Sequence, residues 1–538
     1  MRVVRSKASQ AFSFSNDFIM GVRLLSRLPA YLRKPLTIAE SRAVLRRRLE
    51  RREADFLDLA RRTIFANPAS PYRALMQHAG CGYEDIEQLV RQEGVEGALR
   101  KLFDAGVYLT VDEYKGRKPA VRGSSTIDVS PQWLRNPLMV PHFWATTSGS
   151  RGEATPIPLD LACIRDRAVN MFLALASRGG EGWRNAVWGM PGIGPLLWYS
   201  ACGSPVSRWF STLDPATPGL HPRYRWSVRA IAWTGRLARV PMPFPEHVSL
   251  DAPSRIGRWM EQTLRAGETP HLWASPSAAV GLCRSVAEAH IDVAGSKLTV
   301  TGEPVTEARL AAVRRAGIDA TPDYGSADSG GSVGQGCLSP EAPDDIHVFS
   351  DLNALIQVDA PPFPTGALLL SSIRPTVPFI FLNVSMGDRA TITRRRCGCP
   401  MEELGWPTHL HTIRSFEKLT AGGMTFEDAD VVRILEEVLP RHFGGGPTDY
   451  QLVEEMADDS QPRLRLLVRP SVAVGDLVAV SDLFLEALGA GSGTRHVMAL
   501  QWRQAGFLRA ERKAPFATPS GKILHLWAET RTLRGDAE

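Results

Sequence analysis

Four short stretches of this 538-residue chain combine residue types that can hold phosphate, a purine, a ribose and a carboxylate, and they follow one another along the sequence. The first is Thr146-Thr147-Ser148-Gly149-Ser150-Arg151-Gly152. Its glycines let the backbone curl around an anion and present N–H groups, and its hydroxyls add donors for phosphate oxygens. No Gly-Lys-Ser/Thr follows, so it is not a Walker A loop, and taken alone the same composition also describes a surface turn. The second is Asp323-Tyr324-Gly325-Ser326-Ala327-Asp328. A flat aromatic followed by glycine at a strand end can carry a purine against open backbone, and Asp328 can hold Mg²⁺; an ordinary strand-end turn reads the same way. The third is Gly387-Asp388, whose carboxylate can accept both ribose hydroxyls. The fourth, Pro515-Phe516-Ala517-Thr518-Pro519-Ser520-Gly521-Lys522-Ile523, puts one lysine on a tight turn near the C-terminus. Alone, that is a solvated surface lysine.

A separate set of residues suits a metal. Cys397-Gly398-Cys399 places two thiols one residue apart, and Cys337 and His347 lie in the segment after the Tyr-Gly stretch. Three Cys and one His complete a tetrahedral structural Zn²⁺ site; free buried thiols are the alternative. Cys81, Cys163, Cys202 and Cys283 are expected to pack as small apolar residues. Two stretches imitate serine hydrolases. Asp328-Ser329-Gly330-Gly331 needs an all-β framework that this chain lacks. Gly330-Gly331-Ser332-Val333-Gly334 fits a Gly-x-Ser-x-Gly elbow, but Gly334-Gln335-Gly336 then follows where a helix should start.

The elements that must position these residues fall into three styles. Residues 1–135 read as mainly helical, with long stretches at Ser41 to Ala66 and Tyr83 to Ala105. Short apolar runs then alternate with helical periodicity. Leu298 to Val300 is a strand, Gly302-Glu303-Pro304 a turn, Thr306 to Ala316 a helix stopped by Gly317, and Ile318 to Tyr324 a second strand. Strand, helix and strand in so short a span argue for an α/β core. Beyond residue 413, Val431, Ile434, Leu435, Val438 and Leu439 form one apolar helix face, with Pro440 and Gly444-Gly445-Gly446 ending it. Arg463 to Leu466 alternates as a strand, and Ser481 to Leu488 is a helix. The expected architecture is a large N-terminal domain over residues 1–412 and a small α+β domain over 413–538.

Bulk properties narrow the function classes. With 44% hydrophobic and 22% charged residues the chain is globular rather than disordered. No apolar run suffices for a membrane span. The net charge of +6, from 63 basic and 57 acidic residues, can attract a polyanion such as ATP but is no nucleic-acid signature. The Arg-rich run from Arg42 to Arg52 is expected to be a solvated helix face. The basic, acid-poor first 35 residues have the look of a transit peptide, but Asp17 to Leu28 fits a first amphipathic helix, which is the favoured reading. Seven cysteines, an odd number, point to reduced thiols in a cytoplasmic protein.

In order and rough spacing, the four stretches resemble the adenylate-forming superfamily, and its phenylacetate–CoA ligase-like branch in particular, over roughly residues 75 to 530. The resemblance implies an α/β fold with a small mobile C-terminal domain and the cofactors ATP, Mg²⁺ and coenzyme A. It implies that Thr147, Ser148, Gly149, Ser150, Arg151 and Gly152 wrap the ATP phosphates. Tyr324 and Gly325, with Asp323 and Ser326 beside them, would take adenine, Asp328 Mg²⁺ and Asp388 the ribose. Gly302, Glu303 and Pro304 would line the nucleotide and acyl pocket. Lys522 would bridge the acyl carboxylate and the α-phosphate, and Arg414 would mark the hinge. Some members of the branch carry a similar Cys and His set, which supports zinc on Cys337, His347, Cys397 and Cys399. Trp188-Gly189-Met190-Pro191-Gly192, Ser275-Pro276-Ser277 and the stretch through Gly330 and Gly331 would line the acyl pocket, where Trp188 and Met190 suit an apolar, even aromatic, acid.

The sequence departs from the family at three places. The phosphate loop ends Gly152-Glu153-Ala154 rather than Gly-Lys-Pro, leaving Arg151 the nearest cation. The usual glutamate is shortened to Asp328. The hinge aspartate position holds Phe416, with Glu417 next. The implied reaction is formation of an acyl-AMP from a small carboxylic acid and ATP. Capture then follows by coenzyme A, by the phosphopantetheine thiol of an acyl carrier protein, or by an amine. No residue separates these acceptors. A catalytically inactive nucleotide-binding scaffold of the same fold is the non-enzyme reading. The oligomeric state is left open, a homodimer included.

Overall fold

In the computed structural model, residues 7–146, 156–189, 192–214, 222–240, 242–416, 419–421, 424–426, 428–456, 462–490, 499–500, 502–504, 506–518 and 520–528 are described. The phosphate-loop residues Thr147 to Gly152 and the pocket candidate Met190 lie outside them. Among the described residues no helix is long and apolar enough to cross a membrane.

The chain opens with six helices: α1 (Lys7–Leu32), α2 (Ile38–Glu50), α3 (Arg52–Ala60), α4 (Pro71–His78), α5 (Tyr83–Asp104) and α6 (Val111–Tyr114). Two of them start at reciprocal caps. The Thr37 hydroxyl accepts from the Glu40 N–H while the Glu40 carboxylate accepts from the Thr37 N–H, and Thr110 with Glu113 repeats the pattern before α6. The helical region is shorter than expected, because a hairpin of Ala120–Arg122 with Ser125–Ile127 follows α6. The Arg-rich run is not a purely solvated face either. Arg48 is buried, bonded to Asp166 at 2.6 Å and to Asn170 at 2.9 Å, so this side of α2 packs on the helix Leu161–Ala176.

Twelve strands form the main sheet: β1 (Arg184–Gly189), β2 (Arg208–Ser211), β3 (Pro245–His247), β4 (Pro270–Ala274), β5 (Lys297–Thr301), β6 (Asp319–Ser326), β7 (Gly331–Gly336), β8 (Ile346–Val348), β9 (Asn353–Val358), β10 (Ala367–Ser372), β11 (Val384–Arg394) and β12 (Thr408–Ser415). Their spatial order is β9-β10-β11-β12-β8-β7-β6-β5-β4-β1-β2-β3. From β6 to β3 neighbours run parallel; from β6 to β9 they run antiparallel. The parallel half is sandwiched by helices, which is why the middle of β5 (Leu298, Thr299, Val300) is buried on both sides. Two more helices matter below: α7 (Pro276–Glu288), whose N-cap is Ser275, and α8 (Glu307–Arg315), whose N-cap is Thr306. Gly317 ends the turn after α8 at φ 72°, and a side chain there would strike Ala294.

The small C-terminal body has its own sheet of β13 (Tyr450–Met456), β14 (Pro462–Val468), β15 (Leu508–Arg512) and β16 (Leu526–Ala528), in the order β15-β14-β13-β16. Its core gathers Val431, Ile434, Leu435, Tyr450, Phe484 and Trp502. Pro440 does not end the first helix of this body. A π-turn over Ile434–Val438 widens the helix just before the proline, which removes the need for its missing N–H, and the helix runs on to Phe443 before Gly444 stops it. The later helix begins at Leu477 rather than Ser481, because Asp476 caps it by accepting from the Val478 N–H. The boundary expected at 412/413 falls inside β12, which keeps pairing with β11 as far as Ser415.

Candidate active site

The turn that carries Lys522 is built by short-range bonds. The Thr518 N–H donates to the Lys522 carbonyl at 2.8 Å, the Gly521 N–H to the Thr518 carbonyl at 2.8 Å, and the Lys522 N–H to the Thr518 hydroxyl at 3.1 Å. Gly521 sits at φ 85°, a region that only glycine enters freely. Gln451 on β13 clamps both ends of the segment. Its amide donates to the carbonyls of Phe516 (2.9 Å) and Leu524 (2.7 Å) and accepts from the Phe516 N–H (2.6 Å).

This turn is docked on the large body. The Ser275 hydroxyl donates to the Gly521 carbonyl at 3.0 Å, and the Ile523 N–H donates to the Ser277 hydroxyl at 3.3 Å. Lys522 lies half-buried over Gly302, so close that a Cβ on Gly302 would stand 2.9 Å from Nζ. Burial pushes the Lys522 ammonium below its ordinary pKa, with the Glu303 carboxylate pulling the other way. Glu303 is itself buried. It accepts from the Ser277 N–H (2.8 Å) and hydroxyl (2.9 Å) and pairs with Arg309 at 3.4 Å. Its side chain is engaged with Ser277 and Arg309 beside the Lys522 seat, not free for the expected nucleotide contact.

The Tyr324 hydroxyl, near the end of β6, donates at 2.9 Å to Oδ2 of Asp388 on β11, although three strands separate the two in the sheet order. Burial, then the nearby Asp388 charge, pushes the Tyr324 pKa well up, so it stays a neutral donor. A cavity of about 140 Å³ is lined by Tyr324, Gly325, Ser326, Val333, Met386 and Asp388, with Leu355, Leu368 and Leu370 closing it. Gly325 is required by the crowding of β6 on β7, because a Cβ there would lie 2.3 Å from the Gly331 carbonyl. Asp323 faces the sheet instead of the cavity. It accepts from the Ser332 hydroxyl at 2.5 Å, and burial raises its pKa. It is a brace of the β6–β7 pair, not a ligand-facing acid. The Ser326 hydroxyl accepts from the Ser329 N–H at 3.1 Å and shapes the following turn.

Other candidates have partners that the sequence did not announce. Asp328 is buried and paired with Lys115 at 3.2 Å, just past α6; its Oδ1 has no hydrogen-bond partner among the described residues. Arg414 is not at a free hinge. It lies within β12 and is paired with Asp344 at 2.8 Å, and the same carboxylate accepts from the N–H groups of Thr412 (2.8 Å) and Ile413 (2.7 Å). Trp188 belongs to the core and not to a pocket: its ring is buried, and its N–H donates to the Val248 carbonyl at 3.3 Å. Ser275 caps α7 and holds the Lys522 turn, so it too leaves the acyl-pocket set. Gly330 and Gly331, at φ 88° and 132°, pass against Arg167 and Trp198, and the Arg167 guanidinium bonds the Ser329 carbonyl.

The Cys and His residues do converge. His347 Nε2 lies 3.1 Å from Cys399 Sγ and 3.6 Å from Cys397 Sγ, and His347 Nδ1 bonds the Trp406 carbonyl at 2.6 Å. Ligand atoms of Cys337, His347, Cys397 and a residue absent from the sequence reading, His409, lie within 4.8 Å of one another. His409 Nδ1 is held by Asp345 at 2.8 Å, while its Nε2 is buried with no hydrogen-bond partner among the described residues. Three thiols and two oriented imidazoles, one with an orphaned nitrogen, are a donor set that fits Zn²⁺.

No family model matches the chain, and no curated protein matches it. Solved structures do. A 2-hydroxyisobutyryl-CoA ligase in its postadenylation state with 2-HIB-AMP aligns at TM-score 0.53 and 15% identity, over 93% of this chain and 92% of that one. The same ligase in its thioesterification state gives TM-score 0.46 at 15% identity over 92% of both chains. An anthranilate CoA ligase with anthranoyl-AMP gives 0.43 at 13% identity, over 77% of this chain and 69% of that one. At these identities the first match establishes one thing. The chain has the fold of an adenylate-forming acyl-CoA ligase. In that fold Gly302, Tyr324 and Asp388 belong to the large body, and the turn carrying Lys522 to the small one.

Sequence reasoning missed Lys115, Gln451, Arg309, Glu436 and His525, and it assigned Ser277 to the acyl pocket and not to its bond with Glu303. Only Ser275-Pro276-Ser277 held a usable signal, since serine before proline marks a helix start; the bonds of Lys115 to Asp328, Gln451 to Phe516, and Glu436 to Arg309 and His525 cross 65 residues or more and leave no local trace.

Proposed function

We propose that the chain is an ATP-dependent carboxylate ligase that forms an acyl-AMP and passes the acyl group to a thiol, coenzyme A. The observation that carries this reading is the seating of Lys522, from the small body, on Gly302 at the end of β5, while Tyr324 and Asp388 line one cavity in the large body. The reaction brings a carboxylate against an α-phosphate, two anions, so positive charge must stand where negative charge accumulates. The Lys522 ammonium, fixed by its turn and by Gln451, is suited to hold both in line. Asp388, on the cavity wall beside Tyr324, is the carboxylate suited to accept from the ribose hydroxyls. Mg²⁺, when bound, neutralises charge on the pyrophosphate leaving group; Asp328 is the carboxylate suited to it, through the oxygen that Lys115 leaves unbonded. Ser329 to Gly334 forms the floor of the acyl pocket. The cluster of Cys337, His347, Cys397 and Cys399, with His409 as a further ligand, supports a structural zinc and the phenylacetate–CoA ligase-like branch. Zinc below stoichiometry in purified protein by elemental analysis removes that part of the proposal.

The acid-dependent exchange of pyrophosphate into ATP tests the central reading, using a panel of aromatic and aliphatic acids with and without coenzyme A. Exchange that needs an acid supports it, and no exchange with any acid overturns it. One observation favours a second reading. Lys115 already neutralises the acid that Mg²⁺ would use, as in a nucleotide-binding scaffold without turnover. Such a protein binds ATP yet catalyses no exchange.

A further inference from the structure

A buried cluster of charged side chains lies between the two bodies, behind the seat of Lys522. Glu436, in the π-turn of the small body, is almost fully buried and accepts from three groups: the Thr306 hydroxyl, Arg309 Nε at 2.7 Å, and His525 Nε2 at 2.7 Å with the proton on that nitrogen. Thr306 and Arg309 belong to the large body, Thr306 as the N-cap of α8 and Arg309 in its first turn. Arg309 turns its other side to Glu303 at 3.4 Å, and its Nη2 lies 3.2 Å from His525. His525 follows Lys522 by three residues, and its carbonyl accepts from the Leu452 N–H at 2.9 Å. The network therefore closes only when the small body is docked, and it grips the chain just beyond Lys522 while Glu303 supports the lysine from the other side. Undocking strands Glu436 and Arg309 apart from each other, and a buried charge that loses its partner is strongly unfavourable unless water reaches it.

We propose that Arg309, Glu436 and His525 form an interdomain latch that positions Lys522 for acyl-adenylate formation. This rests on the reading of Lys522 given above. None of the three is a catalytic residue; each acts through the placement of the lysine. Opening the latch lowers the fraction of molecules in which Lys522 is seated, and the first half-reaction falls by that fraction. The transfer of the acyl group from a preformed acyl-AMP to coenzyme A does not need the seat and is not slowed.

The test compares wild type with Glu436→Gln in three measurements: acid-dependent pyrophosphate exchange, thioester formation from synthetic acyl-AMP and coenzyme A, and the distance distribution between dyes at exposed Glu288 and Glu486. The expected result is a fall in exchange of about tenfold or more, thioester formation unchanged or faster, and a broadened distance distribution. Equal losses in both half-reactions, or no change in either, overturn the latch. Absence of exchange in wild type overturns the ligase reading instead, and the dye distances then decide the latch alone: an unaltered distribution in the variant disposes of it. If Glu436→Gln does not fold, His525→Phe, which keeps the volume but not the hydrogen bond, takes its place in the same measurements.

Discussion

The two halves of the candidate site are held by different physics. The Tyr324 and Asp388 half is made of strands of one continuous sheet, with apolar Val333, Leu355, Leu370 and Met386 around it. The Lys522 half is held by polar contacts between bodies: Ser275 with Gly521, Ser277 with Ile523, and Arg309 with Glu436. Apolar packing inside a sheet cannot open without unfolding the sheet. Hydrogen bonds at a seam can exchange for water and reform. A reaction that needs a fixed nucleotide seat and a removable cation is served by that division.

The strongest way to break the comparison is to remove the cation. Lys522→Ala is expected to lower acid-dependent pyrophosphate exchange by about 10²–10³, the usual loss for one preorganised charge contact, with ATP binding by calorimetry preserved. Near wild-type exchange in this variant would take Lys522 out of the chemistry and leave the seam as mere packing.

A smaller perturbation acts on the seat. Gly302→Ala puts a methyl 2.9 Å from Lys522 Nζ, and the flexible end of the lysine yields more easily than the backbone. Exchange is expected to fall about tenfold, while the positive φ of 84° costs the chain about 1 kcal/mol of stability in thermal unfolding. A fall in stability with exchange unchanged means that the lysine does not work from this seat.

How much of this was legible beforehand follows the same division. The strand at Leu298–Val300, the turn at Gly302, the helix from Thr306 stopped by Gly317 and the strand to Tyr324 were readable because apolar periodicity, a cap residue and a glycine are local signals. The extension of the later helix back to Leu477 was missed although Asp476 announced it. Trp188 was misassigned because an apolar aromatic looks alike in a pocket and in a core. The partners of Asp328 and Arg414 could not be read at all: Lys115 and Asp344 meet them through tertiary packing, and a lone Lys or Asp in sequence carries no address. His409 escaped for a similar reason, since it is the pairing of β8 with β12 that sets it opposite His347.

Acid sharpens the comparison at the seam. The Arg309 guanidinium, His525 and the Thr306 hydroxyl outweigh the burial of Glu436 and hold its pKa at about 2, below the ordinary 4.5. A carboxyl depressed in the folded state contributes stability that is complete above its unfolded value and lost as pH falls. The contribution of Glu436 is therefore full above about pH 4.5 and disappears toward pH 2. Thermal unfolding of wild type should fall steeply through that window and more shallowly in Glu436→Gln. Equal slopes mean that Glu436 is not held by its partners.

The smallest expected effect belongs to the rigid half. Tyr324→Phe removes one hydrogen bond to the Asp388 carboxylate and leaves the ring in place. A bond to a charged acceptor is worth about 1.5–3 kcal/mol when fully buried. Asp388 is not fully buried and regains water, so a loss near the lower end, about tenfold in ATP affinity, is expected. The rate of exchange at saturating ATP should hardly change, because Lys522 is held from the other body. A variant that loses maximal exchange rather than ATP affinity would show that the sheet and the seam are coupled, and the division between a fixed seat and a removable cation would have to be abandoned.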